Sequence, residues 1–399
     1  MATLNPFRAV RPRPDVAARI AAVPYDVVST EEARGLAFGE PLSFLHVSRA
    51  EIDLPAATDP HSEAVYGRAA QNYDALKKSS LVVEAQPAVY AYRLAMGRHV
   101  QTGIGAAWSL DEYANDVIKK HERTRRDKED DRTKHMIALG AQTGPVFLTY
   151  RAAGDVSRVV AGETAAPPLF DFDARDGVRH TVWRISPSGC EALVAAFKKI
   201  PALYIADGHH RAASAARARE ALSDGRGSTM LGVAFPHDQV QILPYNRIVR
   251  DLGALTPEAF MAAVRQRFGV APGPAAPDRK GDIAMFFAGA WQTLRPRVAP
   301  DASNPIASLD VSVLQDQLLA PILGIADVRT DRRIDFVGGA RGTSELERLV
   351  SSGNAAAAFS LYPVGVADLM TVSDAGDIMP PKSTWFEPKL RDGLLINPL

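Results

Sequence analysis

The sequence predicts a mixed α/β fold with more than one folding unit, and three observations carry that prediction. A short apolar run, Ala202 to Ala206, stops at Asp207-Gly208 and gives way to an alanine-rich segment reaching about Leu222, which reads as strand, tight turn and helix. Val89 to Met96 and Gln101 to Ser109 flank Gly97-Arg98-His99 as the arms of a hairpin. The chain has 399 residues, 46% of them hydrophobic, enough for two or three domains of about 100–200 residues each.

In chain order, Asp15 to Ala22 reads as a helix, and Val23-Pro24-Tyr25-Asp26-Val27-Val28 as an extended segment set by Pro24. Ser29-Thr-Glu-Glu32 opens a further helix, and Ser43-Phe-Leu-His46-Val47 reads as a short strand with His46 in the core. Residues 60–80 form one amphipathic helix, and the hairpin follows. From Lys119 to His135 nearly every residue is charged, with Glu122–Arg126 and Asp130–Lys134 at helical spacing, as on a solvated helix. Thr143 to Tyr150 is a strand, 152–168 a connection, 171–177 a turn and His180 to Ile185 a strand. Ser186-Pro-Ser begins a helix that Pro201 stops. Met230 to Phe235 and Val240 to Leu243 read as two strands joined by a turn.

The Pro- and Gly-rich stretch Ala271 to Asp278 marks a boundary, giving a first region over 1–270 and a C-terminal α/β subdomain over 271–399. Beyond it lie a strand at Ile283 to Phe287, a helix at Ser312 to Leu323, a glycine-rich turn at 335–342, a helix at Ser344 to Ser352 and a strand at Ala356 to Tyr362. The glycine-rich turn lacks the Walker pattern of a phosphate loop. The polar, aromatic end, Met379 to Lys389, reads as ordered.

Charge excludes some classes. Lysine and arginine number 46, aspartate and glutamate 46, so the net charge is zero and no global nucleic-acid footprint or anionic-membrane surface is expected. Cys190 is the single cysteine, which leaves no intrachain disulfide and no Cys-based zinc site, and fits a cytoplasmic chain. No apolar run reaches the length of a membrane span.

The chemistry concentrates at Asp207-Gly208-His209-His210-Arg211. Gly208 allows a sharp turn or a close backbone approach. The first amides of a helix lack intrahelical partners and sit at the positive end of the dipole, so this turn can cradle a phosphate. Asp207 as an ordinary helix cap, with the histidines exposed and Arg211 solvated, stays open beside that reading. Asp26 sits among apolar neighbours, as a cap or as a functional carboxylate. Lys120, His121 and Glu122 follow a short apolar pair, where a loop commonly carries catalytic groups, and the run out to Arg132 can close over a polyphosphate as a lid. Asn246 and Arg247 end a strand, where they can meet a ligand or simply form a turn.

The Asp207 to Arg211 motif resembles the phosphate-binding motif of the ParB/sulfiredoxin-like superfamily, in the form that free serine kinases carry. His209 stands where sulfiredoxins have a reactive cysteine and partition proteins a glutamate. The wider set of motifs is similar to the family known as domain of unknown function 1015. Those motifs are Pro24 to Val28, Lys120-His-Glu122, Lys128 to Arg132, Tyr204 to Arg211, Leu243 to Arg247 and Met379 to Lys389.

The resemblance implies a ParB-like core, made from the first fifty residues and the Asp207 region, with an inserted α/β portion over about 50–200. It implies transfer of a phosphoryl group to the hydroxyl of free L-serine from pyrophosphate, ADP or ATP. The resemblance carries over Asp207 to Arg211 by position but not the base; from the residues, Asp26, His121, Glu122, Asp207 and His209 are the candidate catalytic set, with Glu122 or Asp26 as base. Gly208, His210, Arg211, Lys120 and Arg132 face phosphates, Asn246 and Arg247 face serine, and Asp207 holds Mg²⁺ or orients a histidine. A nucleotide-binding regulatory protein without transfer is the other reading. Oligomeric state, a homo-oligomer included, stays open.

Overall fold

The computed structural model describes residues 1–222, 225–301 and 303–399. Short apolar runs between turns become strands buried on both faces. Among the described residues, nine strands join in one mixed sheet. Along it the order is Ile118–Lys119, Leu203–Asp207, Val146–Tyr150, Thr229–Pro236, His99–Ser109, Tyr90–Met96, Arg179–Arg184 and Phe170–Asp173, with Leu4–Asn5 pairing to His99–Ser109. Leu203–Asp207 runs parallel to Ile118–Lys119 and antiparallel to Val146–Tyr150. Every residue of Val146–Tyr150 is buried, as expected for an inner strand. The expected hairpin is present, Tyr90 facing Gly105 and Met96 facing His99.

Among the described residues, two apolar clusters of this part bear on the site. One packs Trp108, Leu148, Phe197 and Ile205 between the sheet and its helices. The other gathers Phe44, Leu45, Tyr73 and Leu76 from the first eighty residues. Each such large side chain contributes roughly 1.5–3 kcal/mol by leaving water.

Contacts divide the chain into two units, 1–240 with 388–399, and 241–387. The sequence expectation drew its line at 270/271. The Pro/Gly stretch does not interrupt the fold there, because Ala271 and Pro272 end a strand, Phe268–Pro272, paired to Ala290–Pro296. Strands from the 50–200 segment share one sheet with Leu203–Asp207. In the second unit an antiparallel sheet orders Phe268–Pro272, Ala290–Pro296, Ile283–Phe287, Ala357–Leu361, Tyr245–Val249 and Ile334–Gly338. Gln241–Leu243 pairs with Trp385–Glu387 instead of forming a hairpin with Thr229–Pro236.

Three further expectations differ from the structure. Ser43 to Val47 is not a strand: Ser43 Oγ accepts from the Leu45 amide at 3.3 Å and Leu45–Ser48 turns helical. A short apolar run cannot tell the two apart by period alone. His46 accordingly leaves the core and pairs with Asp53 at 2.7 Å. The 152–168 connection contains a helix, Gly154–Glu163, whose Val156, Val159 and Val160 stripe meets the sheet. Residues 126–139 form a helix, as expected, but Asp131, Thr133, His135, Met136 and Leu139 are buried.

The last segment, 388–399, stitches back into the first unit. Asp392 and Ala22 exchange backbone hydrogen bonds of 2.9 and 3.2 Å, and the Gly393 amide donates to Thr143 at 3.1 Å. Gly393 has φ +82°, and a Cβ there would lie 2.6 Å from the Phe44 ring. Gly393→Ala therefore combines left-handed strain with a core clash. It is expected to lower unfolding free energy by about 2–4 kcal/mol, read from urea denaturation of the whole chain.

Candidate active site at the strand–helix turn

The apolar run Leu203 to Ala206 is drawn into the sheet and stops at Asp207 because the next residues are glycine and polar. The register against Val146–Tyr150 slips between Ile205 and Asp207. Such a bulge re-aims the side chains that follow it. Gly208 then takes φ +94°, with Arg211 Cζ 3.3 Å and Val146 Cα 3.4 Å from where a Cβ would stand. The helix His209–Leu222 starts at once, its Ala212 amide bonded to Gly208 oxygen at 3.0 Å. Ala212, Ala213, Ala215 and Ala218 are its buried face, and small side chains let it lie close.

Arg211 turns inward. Its side chain is 5% exposed and reaches Asp26 Oδ2 at 3.5 Å. It also donates to the Pro145 carbonyl at 2.5 Å. Burial alone would lower its pKa, but Asp26, Asp207 and Asp392 raise it further above the guanidinium range. Asp207 is held the other way. Burial pushes its carboxyl up, and Lys389 and Arg211 outweigh that and keep it below the usual carboxylate range. Its Oδ1 accepts from the Gly208 amide and its Oδ2 from Lys389 Nζ, both at 2.9 Å. Asp392 is pushed up to about 7, chiefly by burial.

A cavity of about 20 Å³ lies beside Arg211, bordered by Tyr25, Ser48, Arg132, Thr143 and Asp392. It has the size of one water. Arg211 Nε, Asp392 Oδ1 and Ser48 Oγ are buried there without a protein partner.

Two histidines meet on the other side of the turn. The His121 and His209 rings lie edge to face with centroids 4.5 Å apart. The His121 amide donates to His209 Nε2 at 3.4 Å, and His209 Nδ1 faces Glu122 Oε2 at 3.8 Å. Burial holds His209 well below the ordinary imidazole value and lowers His121 to about 4. His210 Nε2 accepts from the Arg125 amide at 3.0 Å, pinning the loop that carries His121 and Glu122.

Asp26, His121, Glu122, Asp207, Gly208, His209, His210 and Arg211 thus come together around one turn. Lys120 turns aside: its Nζ donates to the Tyr113 carbonyl at 3.0 Å and sits 4.4 Å from the Tyr113 ring. Arg132 is not a lid over the turn. It pairs with Asp131 at 2.7 Å, stacks over Tyr25 at 4.2 Å and reaches Arg211 only across the cavity. Asn246 and Arg247 lie in the second unit, where each is buried. Asn246 Oδ1 accepts from the Leu361 amide at 3.3 Å, and Arg247 donates to the Lys382 carbonyl at 2.9 Å. Burial lowers Arg247 to about 10. Lys389 and Asp392 escaped sequence reasoning as site residues. Lys389 stood in the terminal motif, but nothing local marks its partner.

The depressed imidazoles set a pH dependence. The unfolded His121 ring takes its proton near 6.5 and the folded one near 4. Its contribution to stability is therefore full above about 6.5 and is lost as pH falls toward 4. His135, lowered to about 3 by burial, extends the loss in the same direction. Asp392 acts oppositely, its contribution fading as pH rises from 3.8 through about 7. Ring-proton NMR against pH is expected to show His121 titrating near 4; an inflection at the ordinary value would show the ring is not buried neutral.

Among solved structures, the chain is similar to a free serine kinase in complex with AMP (12% identity, TM-score 0.38, 73% of this chain and 92% of that one). It is similar to SbnI with a C-terminal truncation from Staphylococcus aureus (12% identity, TM-score 0.41, 73% and 87% covered). It is also similar to a conserved hypothetical protein from Pyrococcus furiosus (12% identity, TM-score 0.36, 74% and 95% covered). No curated protein matches it. The profile of the family described as protein of unknown function DUF1015 matches residues 4–312, and the chain belongs to that family.

Proposed function

We propose that this chain is a phosphotransferase that phosphorylates the hydroxyl of free L-serine, with pyrophosphate or a nucleotide as donor. The observation that carries the reading is the Asp207–Arg211 turn itself. A positive-φ glycine, a helix start and a buried guanidinium meet at this turn, with one carboxylate, Asp26, on the Arg211 side and another, Glu122, on the His209 side. Phosphoryl transfer is mostly positioning and electrostatics, and this turn supplies both. The Asp-Gly-His-His-Arg form adds the resemblance to free serine kinases.

In this mechanism the Gly208 turn and the first amides of its helix receive the donor phosphates. Serine's hydroxyl is a weak nucleophile, so a carboxylate must take its proton as the oxygen–phosphorus bond forms. The bond from phosphorus to the donor's bridging oxygen breaks, and phosphate or the shortened nucleotide leaves. Asp26 and Glu122 have side chains 34% and 38% exposed, open to an incoming hydroxyl. Mg²⁺, where bound, spreads charge over the phosphate oxygens. Asp207 Oδ1 and Oδ2 each accept one hydrogen bond, from Gly208 and Lys389, and each keeps a lone pair with which Asp207 would hold the ion.

One contact favours a second reading, a nucleotide-responsive regulatory protein. The Arg125 amide on His210 ties the 120–125 loop to the turn, so a ligand at the turn also orders or frees that loop.

Purified protein with Mg²⁺, serine and each of pyrophosphate, ADP and ATP is expected to yield phosphoserine by mass spectrometry. No product with any donor, with nucleotide protecting residues 119–135 from protease, would favour the regulatory reading. Asp26→Asn or Glu122→Gln is expected to cut turnover roughly 10²–10⁴-fold with donor affinity little changed. Near-normal turnover in both variants would remove these carboxylates from the base role.

A further inference from the structure

His121, Glu122 and His209 each present one donor atom, and the three atoms lie within 4.8 Å of one another. The set is held by different elements. His121 and Glu122 follow the strand Ile118–Lys119, and His209 opens the helix His209–Leu222. His121 and His209 are 2% and 4% exposed. His121 Nδ1 is buried with no hydrogen-bond partner, and such an atom in a native interior calls for an explanation. Glu122 Oε2 stands 3.8 Å from His209 Nδ1, too far for a hydrogen bond. Two ligands with metal bonds of about 2.0–2.2 Å and tetrahedral geometry sit roughly 3.4 Å apart.

We propose that His121, Glu122 and His209 bind a borderline divalent transition ion of the Zn²⁺ type. Metal binding here does not depend on the phosphotransfer reading. Two imidazoles and one carboxylate suit such an ion, whereas Mg²⁺ prefers oxygen ligands and keeps its waters. Three protein ligands leave a position open for water or a phosphate oxygen.

Glu122, the exposed member, sits on the loop before the helix Arg126–Leu139 and closes the distance. When the ion takes His209 Nδ1, the ring proton moves to Nε2. The 3.4 Å contact from the His121 amide then opens. With the ion in place Glu122 is a ligand, and Asp26 is the carboxylate left to accept the serine proton.

The test uses the full chain, stripped by chelator and titrated with Co²⁺, then competed with Zn²⁺ and with excess Mg²⁺. Visible d–d absorption and metal content by mass spectrometry are the readouts, so activity is not needed. One ion per chain is expected, displaced by Zn²⁺ and not by Mg²⁺. His121→Ala and Glu122→Gln are each expected to weaken binding at least roughly tenfold, the smallest cost typical even of a group outside the ligand set. Glu122→Gln keeps the test sound if the buried histidine variant does not fold. His99→Ala, remote from the set, is expected to retain the full equivalent. The absence of stoichiometric Co²⁺ or Zn²⁺, displacement by Mg²⁺, or undiminished binding in Glu122→Gln would overturn the proposal.

Discussion

A guanidinium enclosed by protein must be surrounded by acceptors, and Arg211 imposes that demand on the whole first unit. Its charge is 5% exposed. Leaving water costs several kcal/mol for such an ion unless carboxylates and carbonyls replace the lost solvent. The replacements come from far along the chain: Asp26 from 185 residues earlier, the Pro145 carbonyl from the loop before an inner strand, and Asp392 from the returning C-terminal segment. Asp207, near it in sequence, adds a third carboxylate and brings Lys389 with it. The fold at this end of the sheet amounts to a shell built around one cation.

That shell explains why the two sides of the turn differ so much in character. On the Arg211 side, charges of both signs are buried and largely matched. On the His209 side, burial falls on groups that can shed charge, and both imidazoles do so. A neutral ring can accept, donate or ligate. The adjoining helix, Arg126–Leu139, keeps this division in place. Asp131 spends its charge on Arg132, His61 and Tyr66, and Arg217 crosses to Glu129 at 3.1 Å. The charged run is therefore a packed element whose charges are paired within it and with neighbouring elements.

Much of this was legible in the residues. The strand, the glycine and the helix start at 203–222 follow from an apolar run, a permissive backbone and an alanine-rich stretch, all local signals. His121 and Glu122 were legible as loop residues after a short strand. What local pattern cannot give is the partner of a side chain. Lys120 lies next to His121, yet an aromatic ring and a carbonyl on the preceding helix draw it away. Lys389 meets Asp207 across 182 residues. Ser43 to Val47 turns helical rather than extended: three apolar residues among five, Phe44, Leu45 and Val47, fit a strand as well as a turn of helix, and the Ser43 hydroxyl accepts from the Leu45 amide.

The chain leaves the first unit at Val240 and returns to it only at Pro388. Lys389 and Asp392, which complete the charge balance around Asp207 and Arg211, are thus made after the whole second unit. A ribosome that has just finished residue 387 holds a sheet and a helix start whose buried ions still lack two counter-charges. The Asp207–Arg211 turn therefore matures last, its charge balance unfinished until the second unit has been synthesised.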